Sequence, residues 1–455
     1  MSVQKFEVGT KFVNIKEVVT QKELTELKNG NNDYKNQQVM KFVPASGAAT
    51  RMFKDLHSFL VNHEKTEFVN YFLENIESYP FVKDIDKVEF FLKENNKYTD
   101  KERSIIDNII NEKLQLSSLP KALIKMHDYG TFVTTPIDEH IYEGEQYLND
   151  ENVKLHFTIS EEHEELFNEY VEEAIKDQKN INITYSFQKP ETNTIAVDMD
   201  NKPFLLENGE ILYRPGGHGS LIENLNDLEA DIIFIKNIDN VCHRSRIKET
   251  IDSKKQLASI GLDTKKQINQ YIESLLTDDY NLEEIKTFLK DTLNITLKSE
   301  WTKEKALHFL DRPFRVCGVV ENSGEPGGGP FIVDNGSYLD LQICETSEID
   351  LNDEEKLEIL KASQYFNPVD LVCFVKNHKG DKYDLTEFVN EDRYFITEKT
   401  HNGRNLKALE HPGLWNGAMH HWNTLFVEVP SSTFNPVKTV NDLLRDGHRE
   451  AVQVK

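Results

Sequence analysis

The stretch from Val153 to Phe187 constrains the fold most. An apolar run (Val153 to Ile159) is followed by a polar turn at Ser160 and Glu161, an amphipathic stretch (Glu162 to Lys176) and a second β-rich run (Ile181 to Phe187). Strand, helix, strand at this spacing is the order that parallel strands joined by a crossover helix require, so the chain is expected to be α/β. A second such transition lies at Met40 to Lys54. A short strand (Met40, Phe42, Val43) runs into the small residues Ala45 to Thr50 and then into a helical pattern (Met52, Phe53, Leu56, Phe59, Leu60). Small side chains let a backbone approach a polyphosphate, free N–H groups at a helix start face its oxygens, and Arg51 adds a planar cation. A tight connection with no ligand would read the same way.

Charge decides which partners are reasonable. The formal net charge of −25 over 455 residues argues against nucleic acid and anionic membrane, both of which need a basic face. A polyanionic ligand would have to be held by a local group of cations or by a metal ion. Met1 to Asn32 lacks the apolar centre of a signal peptide, and no run reaches the length of a membrane span, so a cytoplasmic protein is expected. Cys242, Cys317, Cys344 and Cys373 are too scattered for a zinc knuckle or a disulfide framework.

Along the chain, a helix is expected around Gln21 to Lys28. Charged, helically spaced stretches at about 53–118 and 244–310 read as insertions. Thr194 to Leu212 reads as a hairpin, and Asp231 to Asn240 as a strand buried on both faces with polar residues at its end. Strands are also expected at Phe314 to Glu321, Phe331 to Asp334, Leu371 to Lys376 and Thr424 to Val429, with Gly327 to Gly329 as a hairpin loop. The resulting division is an N-terminal helical segment (1–39), a main α/β domain (40–350) and a C-terminal region (351–455). Asp239 falls just past a central strand, where open α/β sheets place ligand chemistry. A single carboxylate there suits Mg²⁺, which completes its shell with water and phosphate, or else it caps the turn. His411, His420 and His421, near Trp415 and Trp422, have no carboxylate or cysteine at ligand spacing and are expected to pack or to stack on a sugar.

Four segments occur in a telling order: Ser46-Gly-Ala-Ala-Thr-Arg-Met, Leu119-Pro-Lys, Arg214-Pro-Gly-Gly-His-Gly and Asn237-Ile-Asp-Asn. With Phe434-Asn-Pro-Val-Lys-Thr-Val-Asn-Asp-Leu-Leu near the C-terminus, the chain resembles the UDP-sugar pyrophosphorylase branch of the sugar nucleotidyltransferases. The resemblance suggests a divergent bacterial branch and covers roughly residues 40 to 350. It implies a Rossmann-like, GT-A type fold with a mixed, mostly parallel sheet flanked by helices, and a smaller C-terminal α+β region, with 40–350 as the catalytic domain and 351–455 completing the site. The implied reaction is nucleoside triphosphate, UTP favoured, plus sugar 1-phosphate giving NDP-sugar and pyrophosphate.

Carried over by position, Gly47, Ala48, Ala49, Thr50 and Arg51 would hold the triphosphate and Lys121 the leaving pyrophosphate. Gln188 and Gly217 would meet the base. His218 and Lys438 would contact the sugar phosphate or α-phosphate, Asn237 and Glu345 the sugar, and Asp239 the Mg²⁺. The family has glycine where this chain has Ser46 and Ala49, so a hydroxymethyl and a methyl group are expected where backbone should approach phosphate. The Met52 to Pro120 interval is also longer than in the bacterial thymidylyl and uridylyl enzymes. A nucleotide-sugar-dependent glycosyltransferase and a catalytically silent nucleotide-sugar sensor are the alternative readings. Sugar, base and oligomeric state stay open at this level.

Overall fold

The computed structural model describes residues 3–28, 30–83, 100–324 and 328–451 of a mixed α/β protein. The chain divides into two compact units, one comprising 1–40, 188–235 and 254–429, the other 41–187, 236–253 and 430–455.

In the second unit, Val153–Ile159 pairs in parallel with residues 41–44 of the strand Val39–Pro44 on one side and with Ile181–Phe187 on the other. The helix Glu164–Ile175 makes the crossover, burying Phe167 and Val171. A further helix, Pro136–Tyr147, opens with Pro136 and a reciprocal cap between Thr135 and Asp138. A helical core packs Ala49, Met52, Phe53, Leu56 and Phe59 with Ile106, Ile109, Val437, Val440 and Leu443. The C-terminal segment that carries the last motif is therefore part of this core. Asp442 caps it by accepting from the Lys438 and Thr439 N–H groups at 2.8 and 2.6 Å.

The first unit contains three sheets. In one, Phe314–Glu321 lies parallel to Asn423–Glu428 and antiparallel to Tyr365–Phe374, which neighbours Ile232–Lys236. All ten residues of Tyr365–Phe374 and all five of Ile232–Lys236 are buried, which accounts for the apolar run Ile232 to Ile235, while Asn367 and Asp370 are buried polar members of the other strand. From Lys254 on, the helix Lys248–Leu276 lies against this sheet. A Cβ on Gly261 would fall 2.2 Å from the Phe374 ring, so only glycine lets helix and sheet approach this closely. The second sheet is antiparallel: Ile15–Val18, Gly328–Asp334, Tyr338–Glu345 and Thr296–Leu297. The third joins Phe395–His401, Arg404–Glu410, Thr194–Val197 and Tyr213–Arg214.

Two local expectations are corrected. Residues 21–28 form turns and irregular chain rather than a helix, and the ordered N-terminal elements are the helix Gln4–Val8 and the strand Ile15–Val18. The charged, helix-permissive spacing there is overridden by long-range bonds such as Thr25 N–H to the Phe426 carbonyl at 2.8 Å. Gly328 and Gly329, expected in a hairpin loop, are strand residues paired with Glu345 and Cys344, and Gly327 lies outside the described residues. All four cysteines are free and buried. No described helix is long and apolar enough to cross a membrane.

Candidate functional site

The site residues fall into two clusters, one in each unit. In the second unit the cluster is built on the loop between the strand Val39–Pro44 and the short 3-10 helix Ala49–Phe53, which runs on into the helix Lys54–Asn62. The loop is strapped to the Leu119-Pro-Lys segment. Ala49 N–H donates to the Leu119 carbonyl and Lys121 N–H to the Gly47 carbonyl, both at 3.2 Å, with Ala48 bridged to Pro120 between them. On its other flank, Ala45 N–H donates to the Thr158 carbonyl at 2.9 Å and the Ser160 hydroxyl to the Ser46 carbonyl at 3.0 Å.

Ser46, Gly47, Ala48, Thr50 and Arg51 are exposed, whereas Ala49 is fully buried. The expectation that the Ala49 methyl obstructs the loop is thus overturned, because that methyl packs into the helical core. No residue from Ser46 to Arg51 has a positive φ, so alanine and serine carry no backbone strain there. The Thr50 hydroxyl donates to the Ser117 carbonyl at 3.4 Å.

Lys121 begins a 3-10 turn after Pro120, and its ammonium is held by two acceptors at 2.8 Å, Asp239 Oδ2 and the Val437 carbonyl. With side-chain exposures of 16% and 22%, Lys121 and Asp239 form a largely sheltered pair rather than a solvated one. Asp239 lies in the turn that follows Ile232–Lys236, closed by Asn240 N–H to the Asn237 carbonyl at 3.1 Å.

That turn is fixed from both sides. His140 Nε2 lies 3.2 Å from the Ile238 carbonyl, Val437 N–H donates to the Asp239 carbonyl at 3.1 Å, and Asn435 N–H donates to Asn240 Oδ1 at 2.8 Å. Lys438 follows with an exposed side chain, its ammonium 5.9 Å from the centre of the Phe434 ring. Burial pushes the neighbouring Cys242 thiol up to about 11, which removes it as a nucleophile at neutral pH.

Sequence reasoning missed a buried polar centre in the same unit. The Glu139 carboxylate accepts from Tyr129 at 2.9 Å, from Thr134, and from Arg244 Nε at 3.0 Å, and lies 3.1 Å from His127 Nδ1. Burial would raise its pKa, but the bonds and charges of His127 and Arg244 outweigh that and hold it below the usual carboxylate range. His127 Nε2 in turn meets His448 Nδ1 at 2.9 Å, and burial together with the His127 ring lowers the His448 pKa to about 3. The Thr134-Thr-Pro-Ile-Asp-Glu helix start was the available signal, but nothing local reveals partners in distant segments.

In the first unit, the Arg214-Pro-Gly-Gly-His-Gly segment packs on residues 410–415. His411 N–H donates to the Gly216 carbonyl at 2.8 Å, and His411 Nε2 lies 2.8 Å from the Thr192 carbonyl. Gly217 has φ +78°, and a Cβ there would meet Glu410 Oε2 at 2.8 Å. The Leu414 N–H donates to His218 Nδ1 at 3.0 Å, which leaves the ring proton of the neutral imidazole on Nε2, 3.6 Å from Glu345 Oε1. Trp415 stacks on that imidazole with ring centres 4.4 Å apart.

Burial raises the Glu345 pKa, but its contacts with His218 and Trp415 bring it below the ordinary value. His218, Glu345 and Trp415 thus form one face of donor, acceptor and flat ring. Gln188, just past the strand Ile181–Phe187, donates to the Thr192 hydroxyl at 3.2 Å. His420 is buried beside Arg393, 3.2 Å from its guanidinium, so its role is packing. Among the described residues no group of three or more His, Cys, Asp or Glu could hold a metal ion.

The family model that matches the chain, over residues 3–449, carries the description "Domain of unknown function (DUF4301)". No curated protein matches the chain in sequence. Among solved structures, the chain is similar to UDP-glucose pyrophosphorylase from Leishmania major, with 13% identity, 97% of this chain and 73% of that one covered, and a TM-score of 0.49. It is also similar to a UDP-glucose phosphorylase from Trypanosoma brucei, with 16% identity, 97% and 73% covered, and a TM-score of 0.48. A third is the uridine diphosphate N-acetylglucosamine pyrophosphorylase of Trypanosoma brucei, with 12% identity, 90% and 65% covered, and a TM-score of 0.47.

Proposed function

The chain belongs to the DUF4301 family, and from that premise we propose that it is a nucleotidyltransferase joining a nucleoside triphosphate, UTP favoured, to a sugar 1-phosphate with release of pyrophosphate. The observation that carries this reading is the placement of Lys121 within the second unit. Its ammonium is sheltered between Asp239 and the Val437 carbonyl, and its backbone is bonded to the exposed small-residue loop. A loop that can admit phosphate, a fixed cation and a carboxylate at a strand end are what transfer at an α-phosphorus needs. The order of the five motifs supports the same reading.

In this proposal the Gly47 to Arg51 loop cradles the triphosphate and Arg51 neutralises its outer oxygens. Lys121 exchanges its contact with Asp239 for the departing pyrophosphate, and Lys438 meets the incoming phosphate. In the first unit, the His218–Trp415 face and Glu345 suit a sugar with its phosphate, and Gly217 and Gln188 the base. Asn237 serves the sugar. The attacking sugar-phosphate oxygen is already anionic, so no strong base is required, and catalysis rests on positioning and charge neutralisation. Asp239 offers one carboxylate on a rigid turn, which fits Mg²⁺, an ion that takes few protein carboxylates. Mg²⁺ bound there would supply further neutralisation of phosphate charge.

The test is pyrophosphate release from the full chain with Mg²⁺, each common nucleoside triphosphate and a panel of sugar 1-phosphates. Asp239→Asn is isosteric and keeps an acceptor for Lys121, so turnover should fall about 100-fold or more while the fold persists. Release that survives both Asp239→Asn and Lys121→Ala would defeat the assignment of these residues. Silence across the whole panel would defeat the reaction itself.

A further inference from the structure

A buried ion triad lies behind the turn that carries Asp239. Within the second unit, Glu143 Oε1 accepts from the Lys41 ammonium at 3.1 Å and Oε2 from the Lys236 ammonium at 2.7 Å. None of the three side chains is more than 2% exposed. We propose that Glu143 and His140, on one face of the helix Pro136–Tyr147, are positioning residues that set the Asp239 carboxylate against the loop Ser46 to Arg51. This rests on the proposed transfer reaction, in which that loop and Asp239 act on the same phosphates.

Each tie leads to one half of the site. Lys41 belongs to the strand Val39–Pro44, whose end opens the loop, and Lys236 ends the strand Ile232–Lys236, one residue before Asn237. One carboxylate therefore holds both the chain entering the loop and the chain entering the turn. Positions 140, 143 and 147 fall on one face of the helix. From that face His140 Nε2 lies 3.2 Å from the Ile238 carbonyl, in the peptide that joins Ile238 to Asp239, and the Tyr147 hydroxyl donates to Glu143 Oε1 at 3.1 Å. The His140 carbonyl accepts from the Lys41 ammonium at 3.1 Å, which closes the set.

His140 is the donor to that peptide. Its ring is fully buried, its Nδ1 has no partner among the described residues, and a carbonyl can only accept, so the proton of the neutral ring sits on Nε2. Burial and the Lys41 ammonium push its pKa well below the ordinary histidine range, which keeps the ring neutral.

Stability is a poor explanation for the triad. Three charges are taken out of water at a cost that apolar side chains of similar volume avoid, and such replacements are often neutral or stabilising. What the ions supply is direction, because charge-assisted bonds of fixed length resist the small slides that apolar packing tolerates. A displacement of about 1 Å at reacting groups can cost about 100-fold in rate, so a transfer site gains from that rigidity.

The test compares the full chain with the apolar triple variant Lys41→Met, Glu143→Leu, Lys236→Met. Its melting temperature should equal or exceed the parent's. Pyrophosphate release with Mg²⁺ should nevertheless show kcat lower by about 10- to 100-fold at unchanged KM. Hydrogen exchange at the Asn240 and Val437 amides, which bond to the Asn237 and Asp239 carbonyls, should quicken by about 10-fold while Val153–Ile159 stays protected. His140→Leu should reproduce both changes, and His140→Gln, which keeps a donor near the Nε2 position, should reverse them.

Unchanged exchange in the triple variant and in His140→Leu overturns the proposal. So does a parental kcat in a variant whose turn exchanges faster, or a His140→Gln no better than His140→Leu. A triple variant less stable than the parent also overturns it, because the ions would then serve the fold. If the parent itself releases no pyrophosphate, the transfer reaction fails separately, and the exchange rates alone decide whether the helix holds the turn.

Discussion

Gly219→Ala tests the packing that orients the His218 face. A Cβ at this position would sit 2.0 Å from the Pro412 carbonyl oxygen, 2.8 Å from its carbon and 2.9 Å from the His411 oxygen. These are backbone atoms and cannot rotate away, so the two loops must part by about 1 Å to reach even a tight contact. Three bonds join them or their immediate supports: His411 N–H to Gly216 at 2.8 Å, His411 to Thr192 at 2.8 Å, and Leu414 N–H to His218 at 3.0 Å. A displacement of about 1 Å carries all three beyond hydrogen-bonding distance. At about 1 kcal/mol each, the expected destabilisation is about 3 kcal/mol. Urea unfolding followed by tryptophan fluorescence reads it as a lower midpoint at unchanged slope, and near-ultraviolet circular dichroism reads the loss of the Trp415–His218 stack. An unfolding free energy within about 0.5 kcal/mol of the parent, with the Trp415 signal intact, would refute the argument that this close approach is needed.

Two further tests separate phosphate binding from packing and examine the buried histidines. A Cβ on Gly47 meets nothing within 4 Å and no positive φ is involved, so Gly47→Ala should leave the fold intact and raise stability by up to about 1 kcal/mol through the unfolded chain. Under the proposed function it should still weaken nucleotide binding in a calorimetric titration, and unaltered affinity would remove the loop from the site. His448 is neutral in the folded chain with its pKa lowered to about 3 by burial and by His127, whereas an unfolded histidine titrates near 6.5. The unfolded state then binds more protons below about pH 6.5, so this contribution is complete above that pH and is lost by up to about 1.4 kcal/mol per unit as pH falls. Denaturation midpoints between pH 8 and 5 should show that slope, reduced in His448→Asn, and identical slopes would contradict it.

How much was legible depended on how local each determinant was. The strands Val153–Ile159 and Ile181–Phe187 were read with the boundaries they have, because their patterning and turn residues lie within themselves. The helix Pro136–Tyr147 was not, since eight of its twelve residues are buried and its polar members Glu139, His140 and Glu143 disguise an interior segment. Gly328 and Gly329 were read as loop because glycine in sequence signals a turn. In the structure a Cβ on Gly329 would lie 3.1 Å from the Tyr365 carbonyl, so glycine there serves close strand approach.

The sequence by itself determined the α/β class, the small-residue loop before a helix, and the position of Asp239 just past a buried strand, because periodicity and turn chemistry act over a few residues. Only the tertiary structure decided that Lys121 meets Asp239, 118 positions away, and the Val437 carbonyl, 316 positions away. The same holds for the inward-facing Ala49 methyl and the convergence on Glu139. Such pairings are chosen by whichever packing buries the apolar surface, and polar groups find their partners only once that packing has brought distant segments together.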